Sequence, residues 1–306
     1  ATGLNSGANF TSAWQSCTSL ATMPAIPLTA GTNFSYAWYN CTSLTSFLAT
    51  GLNSGTDFTN AWRDCTALAT MPAIPLTAGI TFNNTWKNNT SLTSFLATGL
   101  NSGTNFTSAW ESCTALATFP AIPLTAGTDF SYAWWGCTSL TSFLATGLDS
   151  GTNFTSAWQS CSALATMPAI ALTAGLTFSY AWLNCTSLTS FLATGLNSGT
   201  NFTSAWSSCS VLATFPVLDL SSGTNFSETW RSCTGMVSFG ACNMNAGASF
   251  INAWRNNTAL ATFPAGVFDD WAPASVTTDC FLDAWHNCPA LTEQSVENIL
   301  LSISAS

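Results

Sequence analysis

Apolar positions recur along this chain with a long period, not the short one of a single helix or strand. The stretch Phe10-Thr-Ser-Ala-Trp14-Gln-Ser-Cys17-Thr-Ser-Leu20 returns as Phe34, Trp38, Cys41 and Leu44, then as Phe58, Trp62, Cys65 and Leu68, and so on toward the C-terminus. The repeat tryptophans are residues 14, 38, 62, 86, 110, 134, 158, 182, 206, 230, 254 and 285; the first eleven are 24 apart and the last step is 31. A fixed period of roughly 20–50 residues marks stacked repeats, each too small to bury its own apolar face. The pattern predicts a repeat solenoid of about twelve 24-residue rungs, with Phe and Trp columns stacked from rung to rung.

Within a rung, the steps Phe to Trp (i, i+4) and Trp to Cys (i, i+3) predict one helical or 3₁₀ turn with a buried face. Leu20, Met23 and Ala25 then predict a short strand. Gly7, Gly31 and Gly55 stand three residues before a Phe and are expected to take φ > 0 there. A 48-residue super-repeat lies over the shorter one: Pro24, Pro72, Pro120, Pro168, Pro216 and Pro264 alternate with Leu48, Leu96, Leu144 and Leu192. Proline has no N–H to give to a ladder, so this position is expected to mark a strand end.

The regular solenoid is assigned to residues 1–268, and residues 269–291 form a last rung with a seven-residue insertion carrying Trp271 and Pro273. Residues 292–306 read as a C-terminal capping helix. Thr292 is its N-cap and Glu293 favours its first turn. Val296, Ile299, Leu300 and Ile303 make an apolar stripe that should cover the open edge of the last rung. The chain opens inside a repeat, since Ala1-Thr-Gly-Leu4-Asn-Ser-Gly7 matches Ala49-Thr-Gly-Leu52-Asn-Ser-Gly55, and an N-terminal part is expected to have been removed or to lie further upstream.

Composition narrows the function classes. Hydrophobic residues make up 47% and aromatics 13%, which argues against disorder. Only 6% are charged, with four basic residues and a net charge of −9, so nucleic acid and anionic lipid are excluded as expected partners. Ser, Thr, Asn and Gly interrupt every apolar run before it reaches membrane-spanning length, and no signal peptide opens the chain.

Ten of the twelve cysteines stand three residues after a repeat Trp, and Asn89 and Asn257 take that place on two rungs. Asn can replace a Cys that bonds the backbone but not half of a disulfide. The pattern therefore predicts a column of buried free thiols. Cys242 and Cys280 lie outside the column and remain candidates for a disulfide.

The recurring Cys-x-x-Leu-x-x-(Phe/Met), preceded by Phe-x-x-Ala-Trp, resembles the BspA-like leucine-rich repeats, and most closely their DUF285 variant from mycoplasma and other bacterial surface proteins. In that variant Phe34 would occupy the first Met place, Ala37 the second and Trp38 the Phe place. The resemblance covers residues 1–291. The ending from Ala290 to Leu300 looks like the ends of repeat proteins in phages and marine microbes. What the resemblance implies is a leucine-rich-repeat-like solenoid with a surface-exposed recognition or adhesion role and no catalytic residues.

The residues themselves give catalysis little support. The one histidine, His286, falls in an outward column, and Asp64, Glu111, Asp129 and Asp149 are scattered over different rungs. Asp269 and Asp270 adjoin each other in the insertion. No Cys or His spacing fits a metal, so neither metal nor cofactor is expected. The informative columns are those that vary. The residue after Trp runs through Gln15, Tyr39, Arg63, Lys87, Glu111, Trp135, Gln159 and Leu183, and holds all four basic residues. The residue two before Trp includes Ser12, Tyr36, Asn60, Asn84, Tyr132, Tyr180 and Glu228. Three residues apart, the two columns should share a face, with Tyr36 beside Tyr39 and Tyr132 beside Trp135.

Surface drift alone would produce such variation. The alternative is a binding face made of Tyr36, Tyr39, Arg63, Lys87, Tyr132, Trp135 and Tyr180, with exposed aromatics and cations suited to a host-surface glycan or protein. The expected function is non-enzymatic recognition on an extracellular, cell or virion surface. A second possibility is a spacer or fibre subunit whose partners are other subunits. A third is ice binding, on files of Thr such as Thr18, Thr42, Thr66, Thr90, Thr114 and Thr138.

Overall fold

The computed structural model describes residues 4–276 and 278–305. The repeat match that begins at Ala1, Thr277 in the insertion and Ser306 at the end of the expected cap lie outside them. The chain forms two compact units, Ala1–Gly151 and Thr152–Ser306. Each is a solenoid of stacked rungs with an aromatic core.

In the first unit the Phe column from Phe10 to Phe130 stacks at centroid distances of 5.3–5.5 Å. The Trp column beside it, from Trp14 to Trp134, stacks at 4.9–6.0 Å. In the second unit the spacings are 5.2–5.4 Å from Phe154 to Phe281. From Trp158 to Trp285 they are 5.0–6.1 Å. The rings are near parallel, and stacked rungs bury them as no single rung could. Inner indoles such as Trp38 and Trp62 also meet the strand residue fifteen positions earlier. Trp38 and Trp182 donate Nε1–H to the sulfur of Met23 and Met167 at 3.4 Å. Where that place holds Phe47 or Phe95, the ring stands at 76° to Trp62 or 82° to Trp110, and the Nε1–H of these two indoles has no hydrogen-bond partner.

The segment from Phe to Cys is not the helical turn expected. Ala13, Gln15 and Cys17 donate to Phe10, Ser12 and Trp14, which makes three overlapping β-turns. The alternate residues Phe10, Ser12, Trp14 and Ser16 donate instead to Asn33, Ser35, Ala37 and Tyr39 of the next rung, at 2.7–2.9 Å. A helix would turn every N–H along its own axis and leave none for the neighbour. The alternation requires left-handed residues two before and two after each Trp, as at Ser12 and Ser16 (φ 56° and 57°). The column two after Trp accordingly holds Asn40, Asp64, Asn88, Ser112 and Gly136, residue types that tolerate this region. Helical turns do occur, as 3₁₀ turns at Leu4–Ser6, Leu52–Ser54, Leu100–Ser102 and Leu196–Ser198.

The glycines before Phe do not have positive φ. Gly55 and Gly103 have φ −65°. They are glycine because a Cβ would run into aromatic rings: at Gly103 it would lie 2.6 Å from Phe106 Cζ and 2.8 Å from the ring of Phe82. Positive φ belongs to other glycines, Gly51, Gly99, Gly147 and Gly195, once per super-repeat.

The strands are two residues long and pair in parallel. In the first unit β1 (Thr22–Met23) pairs with β2 (Ser46–Phe47), β3 (Thr70–Met71) with β4 (Ser94–Phe95) and β5 (Thr118–Phe119) with β6 (Ser142–Phe143). In the second, β7 (Thr166–Met167) pairs with β8 (Ser190–Phe191). Proline sets this grouping. Leu48 and Leu96 donate to Met23 and Met71 at 2.9 Å, closing each pair. Pro72 and Pro120, at the same place on the next rungs, cannot donate, and so the sheet stops after two strands.

None of the twelve cysteines is in a disulfide, so the bridge left open between Cys242 and Cys280 is not formed. In the first unit Cys41, Cys65, Cys113 and Cys137 each donate Sγ–H to the carbonyl of the Trp on the preceding rung, at 3.1–3.2 Å. Burial pushes Cys41 up to about 11 and Cys137 to about 12, so both thiols stay protonated and unreactive at neutral pH. Asn89 fills the same site fully buried, but neither of its amide atoms finds a partner, contrary to the expected backbone bond. Asn89→Cys, by restoring the thiol-to-carbonyl bond, is expected to stabilise the chain by about 1–3 kcal/mol, read as a higher urea midpoint.

The capping helix α1 spans Glu293–Ala305, and Thr292 Oγ1 accepts the Ser295 N–H at 3.2 Å as its N-cap. It docks mainly through polar groups. Ser295 Oγ accepts from Phe263 N–H and donates to the Ala261 carbonyl, Asn298 Nδ2 donates to the Phe263 carbonyl, and Ser302 Oγ accepts from Phe268 N–H. These bonds satisfy a backbone edge that would otherwise lack partners. Of the expected apolar stripe only Ile299 is buried; Val296 and Leu300 face solvent.

Candidate functional site

Two columns flank each core Trp, one residue after it and two before it; in the first unit Tyr36 and Tyr132 reach solvent while Asn60, Ser108 and Glu111 are buried. In the first unit the second column is Ser12, Tyr36, Asn60, Asn84, Ser108 and Tyr132, all with φ between 53° and 57°. A left-handed residue with a Cβ costs roughly 1–2 kcal/mol, which Asn offsets with local hydrogen bonds and Tyr does not. Tyr36 and Tyr132 are nevertheless there, 39% and 42% exposed, in the column where Asn60 and Ser108 are buried. In the second unit Tyr180 has φ 60° and 40% exposure, and its neighbour in the other column is Leu183. Three of the four tyrosines in the chain therefore occupy left-handed sites.

The predicted residues of the first unit fall into two groups. Tyr36 and Tyr39 meet edge to face at 5.8 Å, joined through the turn bond Tyr39 N–H to Tyr36 O, and the Arg63 guanidinium lies 5.6 Å from the Tyr39 ring centre. Asp64 is 3.4 Å from Arg63 and also accepts from Asn88 Nδ2 at 2.7 Å. The second group is a pocket of about 340 Å³ lined by Lys87, Ser108, Glu111, Tyr132 and Trp135. Lys87 Nζ lies 2.7 Å from Glu111 on the next rung. Tyr132 and Trp135 thus share one pocket, as their spacing implied, while Tyr180 belongs to the second unit.

No protein-family model matches the chain, and no curated protein matches it. Among solved structures it is similar to a leucine-rich repeat protein from Bacteroides ovatus, at 16% identity over 78% of this chain and 76% of that one, with a TM-score of 0.31. It is similar to a leucine-rich cell surface protein from Faecalibacterium prausnitzii, at 16% identity over 90% and 80%, with a TM-score of 0.35. An internalin from Listeria monocytogenes gives 12% identity over 90% and 86%, with a TM-score of 0.29.

Sequence reasoning left Glu111, Ser108 and Asp64 out of the site. The signal for Glu111 was present: it follows Lys87 by one 24-residue period in the same column, and opposite charges one rung apart meet. The basic character expected of this face is neutralised. Arg63 and Lys87 are paired as above, and in the second unit Arg231 pairs with Glu228 at 3.1 Å and Arg255 with Asp283 at 3.0 Å. His286 is exposed, 3.9 Å from Asp283. Among the described residues no group of three metal-ligating side chains gathers, and no helix is long and apolar enough to cross a membrane. The Thr file proposed for ice binding is partly committed within the fold: Thr66 and Thr114 donate to the carbonyls of Thr42 and Thr90 on the preceding rung.

Proposed function

We propose that the protein is a non-enzymatic recognition module that presents the two columns beside its core tryptophans to a ligand on a cell or virion surface. The observation that carries this reading is the set of exposed tyrosines at left-handed backbone sites, where sibling rungs use Ser, Asn, Glu or Asp. Exposed aromatics kept at a backbone cost point to a use other than stability. The pocket between Lys87 and Trp135 supplies a concave site on the same face. The resemblance of the Cys-x-x-Leu rungs to bacterial surface repeats supports the location.

The internal repeats supply substitutions that the fold already accepts. Tyr36→Asn and Tyr132→Asn copy Asn84, while Tyr39→Gln and Trp135→Gln copy Gln15 and Gln159. The full chain is expected to be retained on arrays of surface glycans and surface proteins, and the fourfold variant is expected to lose at least about tenfold in affinity while unfolding at an unchanged or higher urea concentration. Equal retention of the variant would place recognition on another surface.

A further inference from the structure

The chemistry of the pocket narrows the ligand class, an inference that rests on the face being the recognition surface. Two aromatic side chains, Tyr132 and Trp135, stand beside a closed ion pair, Lys87–Glu111 at 2.7 Å, whose side chains are 22% and 11% exposed. The pocket is formally neutral. Its unit is acidic, with Asp57, Asp64, Glu111, Asp129 and Asp149 against Arg63 and Lys87, a net −3. An anionic ligand would meet no uncommitted cation on this face and would approach against the field of the unit. A cationic ligand would have to displace Lys87 from Glu111. A hydroxyl group suits the pair as it stands, because it donates to the carboxylate and accepts from the ammonium at once. The apolar C–H faces of a sugar ring suit Tyr and Trp, which offer a flat apolar body with a polar edge. A volume of about 340 Å³ is at the small end of ligand pockets, the size of a short stretch of sugars and not of a protein surface. The second aromatic group, Tyr36 with Tyr39, lies along the same columns four rungs away, or about 19 Å at the usual strand spacing.

We propose that this face takes a neutral, linear oligosaccharide that lies along the rungs, with Trp135 and Tyr132 as its principal platform and the Lys87–Glu111 pair as its hydroxyl partner. The test uses the full chain and arrayed neutral gluco-, manno- and N-acetylglucosamine oligomers beside sialylated, sulfated and uronic-acid oligomers. Selective retention of a neutral series is expected, insensitive to salt and about tenfold or more weaker in Trp135→Gln. Glu111→Gln frees the Lys87 ammonium and is expected to weaken neutral binding and admit anionic oligomers. Preference of the wild-type chain for the anionic series, with affinity falling as salt rises, would overturn the inference. A protein ligand lost on Trp135→Gln, with no glycan retained, would overturn it too but leave the recognition face standing. Neutral glycan binding that Trp135→Gln and Tyr132→Asn leave intact would overturn both.

Discussion

Replacing Trp110 by alanine is expected to cost the first unit about 3–5 kcal/mol. The indole is fully buried, stacked on Trp86 at 5.2 Å and Trp134 at 5.6 Å. Phe95 and Phe119 close on it edge to face at 82° and 80°. Its removal leaves a cavity at two rung interfaces together, and in a stacked array the stability of a rung is the sum of its own term and those interfaces. Trp14→Ala should cost less, since Trp14 is only half-buried and stacks on a Trp on one side. Urea unfolding of the full chain, followed by circular dichroism, measures both. A loss under about 1 kcal/mol at Trp110 would contradict the reading of the aromatic columns as the core.

Gly103→Ala is expected to destabilise by about 1–3 kcal/mol or more, although the backbone there suits alanine. At φ −65° and ψ 131° an alanine would by itself be neutral or stabilising through the unfolded chain. The cost comes from overpacking against Phe106 and Phe82. Shortening the ring that is struck should therefore recover part of it. In a double-mutant cycle, Gly103→Ala with Phe106→Leu is expected to be less destabilised than the sum of the two changes. Strict additivity would mean that the glycine serves the backbone and not the space. The same substitution at Gly99, where φ is 75°, should be indifferent to Phe106, because strain and the approach of Thr77 act there instead.

The two expected effects mark where the sequence was legible. The 24-residue period exposed the Phe, Trp, Cys and Leu columns because burial in a repeated environment leaves little choice of side chain. The capping helix could be read from Thr292 and the change of pattern after Leu291. The backbone between the columns was not legible in the same way. A spacing of three and four residues fits a helical turn, and equally a run of β-turns whose alternate N–H groups serve the next rung. The sign of φ at Ser12 or Asn40 decides between them, and Ser and Asn are common in both settings. The glycines misled for a related reason: Gly55 answers to a ring three residues away and Gly51 to its own φ, although both stand in one Gly-Leu-Asn-Ser-Gly stretch.

The candidate site was legible as two variable columns but not as a charge pattern. Lys87, Tyr132 and Trp135 were picked out one by one, and the structure brings them to one pocket. Glu111 was seen only as a member of the column, and its pairing with Lys87 turns an apparently basic face into a neutral one. The three left-handed tyrosines could not be recognised as strained until the turn geometry was known, because Tyr36 reads like any exposed aromatic in a loop.

The claim that these aromatics serve a ligand and not the fold is tested most directly by the unfolding free energy of the double variant Tyr36→Asn, Tyr132→Asn. Both rungs then carry the residue that Asn84 already carries at the same left-handed site. The account predicts stability that is unchanged or raised, by up to about 1–2 kcal/mol for each site. A clear loss of stability would show that the tyrosine rings belong to the packing of the solenoid, and the assignment of this face to recognition would fall with it.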